Sequence, residues 1–180
     1  MILDDVLQQL VSAQLVRRLN ATYRPAENEE VTYWFKHTLM QETAYQSLLV
    51  SQRRRIHRAI AHTIEELYPQ DSEEYASLLA RHYAQAGDDA KTLEYALMAG
   101  DAAARVYANA EALAEYDHAL SAVLHSPSVA TSDSLCHLYL KRGRVLEISN
   151  HNEDALANYK QMQAVARERN DPALELEALM

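Results

Sequence analysis

Glycine, proline and cysteine are scarce in this chain of 180 residues, which contains 3 Gly, 4 Pro and the single Cys136. So few glycines and prolines argue against a loop-rich all-β fold. One cysteine excludes a disulfide within the chain and is typical of a reducing compartment. No apolar run approaches the roughly 20 residues of a membrane-spanning helix, and the sequence does not start like a signal peptide. We therefore expect a cytoplasmic protein without a membrane segment.

Positive charge is also scarce, and it is unevenly distributed. Residues 1–62 contain eight Lys and Arg against six Asp and Glu, whereas residues 63–180 contain nine against twenty. Nucleic-acid surfaces need clustered cations for the phosphate backbone, so the acidic part is not expected to bind nucleic acid. One dense basic cluster could contact nucleic acid or nucleotide phosphates, but pairing with nearby carboxylates is the interpretation we favour. The cluster consists of Arg53, Arg54, Arg55 and Arg58.

Apolar residues recur with helical spacing over most of the chain, which predicts a mainly α-helical protein. The first predicted helix covers residues 3–19. Strand-forming residues at 21–25 and 31–35 flank a polar turn at 26–30 and predict a β-hairpin. Helical spacing returns after the hairpin and continues to the end of the sequence.

Polar residues mark where several of the later helices should begin. Asp71, followed by Glu74, is typical of a capping box, and Asn109 is predicted to cap another helix. Asp171 and the proline after it are predicted to open the last helix. That helix is still amphipathic where the sequence stops, so we expect the helical array to continue beyond residue 180.

A pattern of small residues and tyrosines occurs twice, 43 residues apart. In each copy a glycine lies where two helices must nearly touch, and a tyrosine four residues after an alanine fills the space beside it. Gly100 and Gly143 are therefore expected to be positions of close helix contact. The repeated positions are Gly100, Ala112, Tyr116 and Ala119 in the first copy and Gly143, Ala155, Tyr159 and Met162 in the second.

Five residues of the second copy fall at packing positions of a known two-helix motif, namely Tyr139, Gly143, Leu146, Ala155 and Tyr159. In this respect the copy resembles the tetratricopeptide motif. Arg142, Met162 and Arg167 depart from that motif, and the 43-residue spacing exceeds its usual 34. The resemblance implies tetratricopeptide-like helical repeats, wound as a right-handed α-α superhelix, over residues 51–180.

Several segments share a known bacterial arrangement, namely 35–44, the arginines at 53–55 with His57, 78–83 and 107–112. They resemble the end of the winged-helix domain and the following helices of signal-transducing switch ATPases, the STAND class. That class includes ATPases attached to cyclase domains and transcriptional activators of the maltose-regulator type. The resemblance covers roughly residues 3–124 and implies that residues 1–50 are the C-terminal part of a winged-helix domain.

The same resemblance implies a role for His37. In that class a histidine at the strand-to-helix junction of the winged helix contacts the β-phosphate of ADP, and His37 occupies the matching position. The next residue is Thr38, where the class often has an acidic residue. The chain has no Gly-x-x-x-x-Gly-Lys-Ser/Thr loop. ATP or ADP is therefore expected only in a longer parent protein, and no cofactor is expected in this chain.

No constellation of catalytic or metal-ligating residues emerges from the sequence. His57 and His62 are five residues apart, whereas metal-binding pairs on a helix are spaced by three or four. Cys136 and His137 are adjacent and diverge by about 100° on a helix, which excludes a nucleophile–base pair. We therefore expect no enzymatic activity, no catalytic residues and no metal site in this chain.

These features together predict a non-catalytic regulatory and protein-binding scaffold, a fragment of a signal-transducing ATPase whose helical repeats sense a partner or ligand. A stand-alone helical adaptor is the alternative. A DNA-binding winged-helix regulator is a second alternative, although its presumed recognition helix at 3–19 carries only Arg17 and Arg18. The expected partners are a protein or an upstream ATPase domain, with no nucleic acid and no membrane. A half winged helix exposes core residues, which would allow a homodimer.

Overall fold

The computed structural model describes residues 2–19 and 32–179. This part of the chain is mainly helical and contains one two-stranded antiparallel sheet, which confirms the predicted mainly α class. The strands are β1 (Val16–Leu19) and β2 (Thr32–Phe35), and a 3-10 turn covers Pro127–Val129. The helices are α1 (Ile2–Ser12), α2 (Thr38–Ser47), α3 (Val50–Leu67), α4 (Ala76–Ala86), α5 (Asp89–Arg105), α6 (Asn109–His125), α7 (Ser132–Ile148), α8 (Asn152–Arg169) and α9 (Pro172–Glu177).

The chain divides into two compact units, residues 1–53 and 54–180, and the division falls inside α3. In the first unit β1 runs antiparallel to β2, with Val16 opposite Phe35. Helix α1 packs against β1, and α2 contacts β2. The Val16 side chain is buried, so it anchors this small sheet. A strand followed by a helix at 32–47 agrees with the predicted junction, whereas the winged-helix assignment stays a prediction.

The predicted first helix is too long. Helix α1 ends at Ser12, and Gln14 adopts a left-handed backbone conformation with a φ of 58°. The chain then enters β1, so Arg17 and Arg18 lie in a strand and not at a helix end. The apolar spacing of this segment fits a helix and a strand equally well. Pairing with the aromatic strand β2 decides in favour of the strand.

The predicted β-hairpin coincides with the structure in its second strand only. Strand β2 lies within the predicted segment 31–35, of which Val31 falls outside the described residues. The predicted first strand, 21–25, and the predicted turn, 26–30, lie outside the described residues too. The strand found opposite β2 is β1, which the apolar spacing had assigned to a helix.

In the second unit successive helices from α4 to α9 pack as neighbours. Three residues join α5 to α6 and three join α7 to α8. Connections this short make each pair an antiparallel helical hairpin. Buried apolar side chains from α3 to α9 form one continuous core. Its largest fully buried side chains are Tyr83, Tyr116 and Tyr139.

The longer connection between α6 and α7 is held by hydrogen bonds to the start of α5 and to the end of α8. At the start of α5, Asp89 accepts hydrogen bonds from Ser126 Oγ and His125 Nδ1, both at 2.6 Å. At the end of α8, Arg169 donates to the carbonyl oxygen of Ala130 at 2.7 Å and to that of Pro127. This connection, which lengthens the spacing between the two copies of the repeat, is therefore packed against the neighbouring helices.

Three helices begin at a residue whose side chain caps them. Asp88, Thr131 and Asp171 each accept a hydrogen bond from the backbone N–H three residues further on. Such a cap satisfies one of the N–H groups that a helix start leaves without a partner. The predicted start of the last helix at Asp171 is thereby confirmed.

The two other predicted caps are wrong. Helix α4 begins only at Ala76, because residues 71–75 form turns in which the N–H of Tyr75 donates to the carbonyl of Asp71 at 3.2 Å. Asn109 is the first residue inside α6, and Ala108 occupies the cap position without a side-chain bond. Asp and Asn near a helix start are compatible with several positions, so composition does not decide which residue is the cap.

Both glycines of the repeated pattern lie in close helix contact. A Cβ atom on Gly100 would lie 2.6 Å from Cε1 of Tyr116, and one on Gly143 would meet the hydroxyl end of the Tyr159 ring. Neither glycine therefore has room for a methyl group. The other repeated positions, Ala112, Ala119, Ala155 and Met162, are buried beside these contacts.

Replacement of Gly100 by alanine is expected to destabilise the second unit by about 1–3 kcal/mol, as at other overpacked positions. The cause is the Tyr116 ring, which is fully buried and has no space to move into. Gly143→Ala is expected to cost less, because Tyr159 is only half-buried and can swing outward. Urea denaturation followed by circular dichroism measures both free energies of unfolding.

The matched control is Gly100→Ala in a Tyr116→Leu background. Without the ring the penalty should vanish, leaving the higher helix propensity of alanine, worth roughly 1 kcal/mol. An equal penalty in both backgrounds would show that the ring is not what excludes a side chain at position 100.

Candidate functional site

A cleft of about 440 Å³ opens between α5, the start of α6 and α7. This volume lies within the range of ligand-binding clefts. Its apolar wall consists of Met98, Ala104, Val145 and Ile148, and its aromatic residues are Tyr107 and Tyr116. Its polar residues are Glu73, Asp101, Arg105, Asn109, Lys141 and Arg144.

Helical spacing brings these residues together. Residues three and four apart lie on one face of a helix, and the cleft is lined by one such stripe from α5 and one from α7. On each helix the stripe mixes apolar and cationic side chains. The stripes are Met98, Asp101, Ala104 and Arg105 on α5, and Lys141, Arg144, Val145 and Ile148 on α7.

Asp101 holds the wall of the cleft in place. Its Oδ1 accepts the Tyr116 hydroxyl at 2.7 Å, and its Oδ2 lies 2.8 Å from Nε2 of His137. One carboxylate thus joins α5, α6 and α7. Burial, together with the nearby Asp101 carboxylate, raises the pKa of Tyr116 well above its usual range. The phenol therefore stays protonated and remains a hydrogen-bond donor.

The cations of the cleft differ in how firmly they are held. Arg105 forms an ion pair with Glu73, and Arg144 lies 3.3 Å from Glu147, one turn along the same helix. Both pairs are largely exposed, so each contributes little to stability. The side chain of Lys141 forms no ion pair or hydrogen bond with any residue that the structure describes. Its ammonium group is available to a ligand.

Tyr107 stands at the end of α5 with a left-handed backbone, φ 61°. The ends of α4, α7 and α8 use the same conformation but place Gly87, Asn150 and Asn170 there. Glycine and asparagine tolerate this conformation, whereas a bulky residue in it is an outlier. The Tyr107 side chain is 80 % exposed. A strained aromatic residue therefore projects beside the cleft where a smaller residue would serve the helix end better.

The predicted site residues divide between the two units. His37 lies in the first unit, at the N-cap of α2 directly after β2, with an exposed side chain that makes no capping bond. In the second unit, Gly100 and Gly143 lie at the helix contacts, and Tyr116 also lines the cleft. The structure therefore brings part of the repeat pattern to the cleft but leaves His37 in the other unit.

The lining residues Tyr107, Lys141 and Arg144 were not predicted as site residues. A signal for Tyr107 exists in the sequence, since the helix ends at Gly87, Asn150 and Asn170 carry the usual C-terminal residues and this one does not. Lys141 and Arg144 carry no such signal, because charged residues on a helix are usually solvent-exposed and without function.

The histidines form a pair that the sequence spacing did not show. Nδ1 of His57 on α3 lies 2.9 Å from Nδ1 of His82 on α4. Burial and the charge of Arg81 lower the pKa of His57, and burial, His57 and Arg81 lower that of His82. Within the described residues no three His, Cys, Asp or Glu side chains are grouped as a metal site.

Cys136 is a poor nucleophile in this setting. Burial, followed by the charges of Glu177, Asp133 and Asp171, raises the pKa of its thiol. The thiolate is the reactive form of cysteine, so a raised pKa lowers its reactivity at neutral pH. The side chain is half-buried and forms no disulfide.

Comparison of the chain with protein-family models, curated proteins and solved structures finds no match. The resemblances to tetratricopeptide repeats and to STAND-class ATPases therefore stay predictions. Among residues 2–19 and 32–179, no helix combines the length and the apolar character needed to cross a bilayer. The cleft is the feature from which a function can be inferred.

Replacing Tyr107 by asparagine is expected to stabilise the second unit by roughly 1 kcal/mol, because it relieves the left-handed strain of a bulky residue. The reciprocal change, Asn150→Tyr at the end of α7, should destabilise it by a similar amount. Thermal unfolding of both variants measures the two shifts in Tm. A lower Tm for Tyr107→Asn would show that the tyrosine stabilises the helix end and is not strained.

Acidification is expected to destabilise the α3–α4 contact through the histidine pair. When both rings are neutral, one Nδ1 can donate its N–H to the other Nδ1. When both rings are protonated, each Nδ1 carries an N–H, and the two N–H groups would face each other without an acceptor. The folded pKa values lie below the ordinary 6.5, so the unfolded chain binds protons first. Stability is therefore present above about pH 6.5 and is lost as the pH falls through the folded pKa values.

Thermal unfolding between about pH 8 and pH 5 tests this effect. His82→Gln should show a smaller loss of Tm on acidification than the unmodified chain. His151→Gln, a change at an exposed histidine, is the control and should lose as much Tm as the unmodified chain. The same loss in the His82 variant would mean that the pair does not respond to pH.

Proposed function

We propose that this chain is a non-catalytic helical scaffold that holds a segment of a partner protein in the cleft between α5 and α7. The observation that carries the proposal is Tyr107, which is both strained and 80 % exposed beside the cleft. Backbone strain persists at binding sites because function, and not stability, selects the residue.

The surroundings of Tyr107 suit a protein ligand. Val106, next to Tyr107 in the chain, and Ile148, which lines the cleft, are also largely exposed, so exposed apolar side chains accompany Tyr107. Tyrosine is enriched among the residues that dominate binding energy at protein interfaces. An aromatic ring supplies a large contact area with few rotatable bonds. Apolar walls with a few polar groups at the edge are typical of peptide-binding grooves between helices.

The proposal extends to a larger protein through the resemblance to STAND-class ATPases. In that setting the scaffold is cytoplasmic and regulatory, and His37 contacts ADP held by another domain. The strand–His37–helix order of the first unit supports this extension. A stand-alone adaptor is the alternative. An immunoblot for the native polypeptide separates the two, because the ATPase parent requires a mass well above the 20.4 kDa of this chain.

A photo-crosslinking amino acid in place of Tyr107 is expected to form a discrete adduct with a partner protein in the source cell. The same amino acid in place of Leu156 on α8 is the control, since Leu156 is exposed but lies outside the cleft. Gel electrophoresis after irradiation measures both. Equal adducts from both positions, or none from position 107, would argue against the cleft as the binding site.

A further inference from the structure

We infer that the cleft accepts an acidic segment of a partner protein, in which carboxylates stand next to an apolar side chain. This inference rests on the proposed function, because it names the chemistry of the segment that the cleft would hold.

The first observation is where the few cations of this acidic region lie. Residues 63–180 contain nine Lys and Arg, and three of them occupy residues 141–144. Arg142 is used internally, since it donates to Asp117 at 2.7 Å and to Asn158 at 2.9 Å. Lys141 and Arg144 line the cleft. In a region with a charge of −11, the cleft is thus lined by three cations, Arg105, Lys141 and Arg144, and by two carboxylates, Glu73 and Asp101.

The second observation is that these charges are available to a ligand. Lys141 has no ionic partner among the described residues. The side chain of Arg144 is 71 % exposed, and its one ionic partner among the described residues, Glu147, lies on the same helix. A pair this exposed is weak, so a ligand carboxylate can replace it. Of the two carboxylates that line the cleft, Asp101 accepts hydrogen bonds through both oxygens and Glu73 is paired with Arg105, so both already have partners inside the protein.

The third observation is the order of side chains along α7. Lys141 and Arg144 are followed on the same stripe by Val145 and Ile148, and Tyr107 lines the same cleft. A ligand that satisfies this stripe carries a carboxylate close to an aliphatic or aromatic group. Charge complementarity of this kind sets specificity and the rate of association.

Nucleic acid fits the same cations poorly. Its phosphates extend in both directions with one charge per few ångströms, and the surface around the cleft belongs to a region of twenty acidic residues. A short peptide segment can place its carboxylates beside Lys141 and Arg144 without bringing further negative charge to the surrounding acidic surface. A cleft of about 440 Å³ also matches a few side chains of a peptide.

A library of random 12-residue peptides displayed on phage, selected on the full chain, tests the inference. Selected peptides are expected to be enriched in Asp and Glu next to Leu, Ile, Phe or Trp. A synthetic peptide from that set should bind the Lys141→Glu/Arg144→Glu variant about tenfold more weakly at low salt. The control variant, Lys160→Glu/Arg167→Glu on α8, carries the same change in charge outside the cleft and should bind within about twofold of the unmodified chain.

Three outcomes are distinguishable when Tyr107→Asn is included, provided circular dichroism shows every variant to be folded. Acidic peptides that require both Tyr107 and the two cations support the inference. Peptides that require Tyr107 but are not acidic, or that bind the charge-reversed variant equally well, overturn the inference and leave the scaffold function standing. An absence of selected peptides, or binding that none of these variants changes, overturns the proposed function as well.

Discussion

The buried ring of Tyr116 determines where three helices of the second unit can lie. It fits against α5 because Gly100 has no side chain, and its hydroxyl then reaches Asp101. Asp101 in turn accepts a hydrogen bond from His137 of α7. Hydrogen bonds to a charged group contribute about 1.5–3 kcal/mol each. Asp101 and Tyr116 both line the cleft, so the contact that closes the core also sets the position of the cleft wall.

The second copy of the pattern repeats the packing but not this polar contact. Tyr159 donates at 3.1 Å to Glu147, which is partly exposed. The α7–α8 pair relies on Asn158 instead, a buried amide that donates to the carbonyl of Tyr139 at 2.8 Å and accepts from Arg142. Arg142 departs from the tetratricopeptide pattern, and here it links α8 to α6 through Asp117. The two helix pairs therefore share the same glycine–tyrosine packing but are stabilised by different hydrogen bonds.

Most of the helical fold could be predicted from the sequence, because apolar spacing and close glycine contacts are local or strictly periodic. The predictions fail where two structures satisfy the same pattern. Apolar residues at 15–19 suit a helix or a strand, and pairing with β2, 13 or more residues away, decides between them. Asp71 and Asn109 fail for a related reason, since a capping side chain is also a common turn residue.

The cleft could not be predicted, since it depends on how two helices are placed and not on a motif. Met98 and Val145 look like core residues in the sequence, and Lys141 looks like a surface charge. Only the packing of α5 beside α7 brings them to one concave site. Tyr107 is the exception, because its anomaly is local: three other helix ends use Gly or Asn in the same conformation. Within the second unit, three helix ends use Gly or Asn in this conformation and one uses tyrosine, and that difference points to a constraint other than folding.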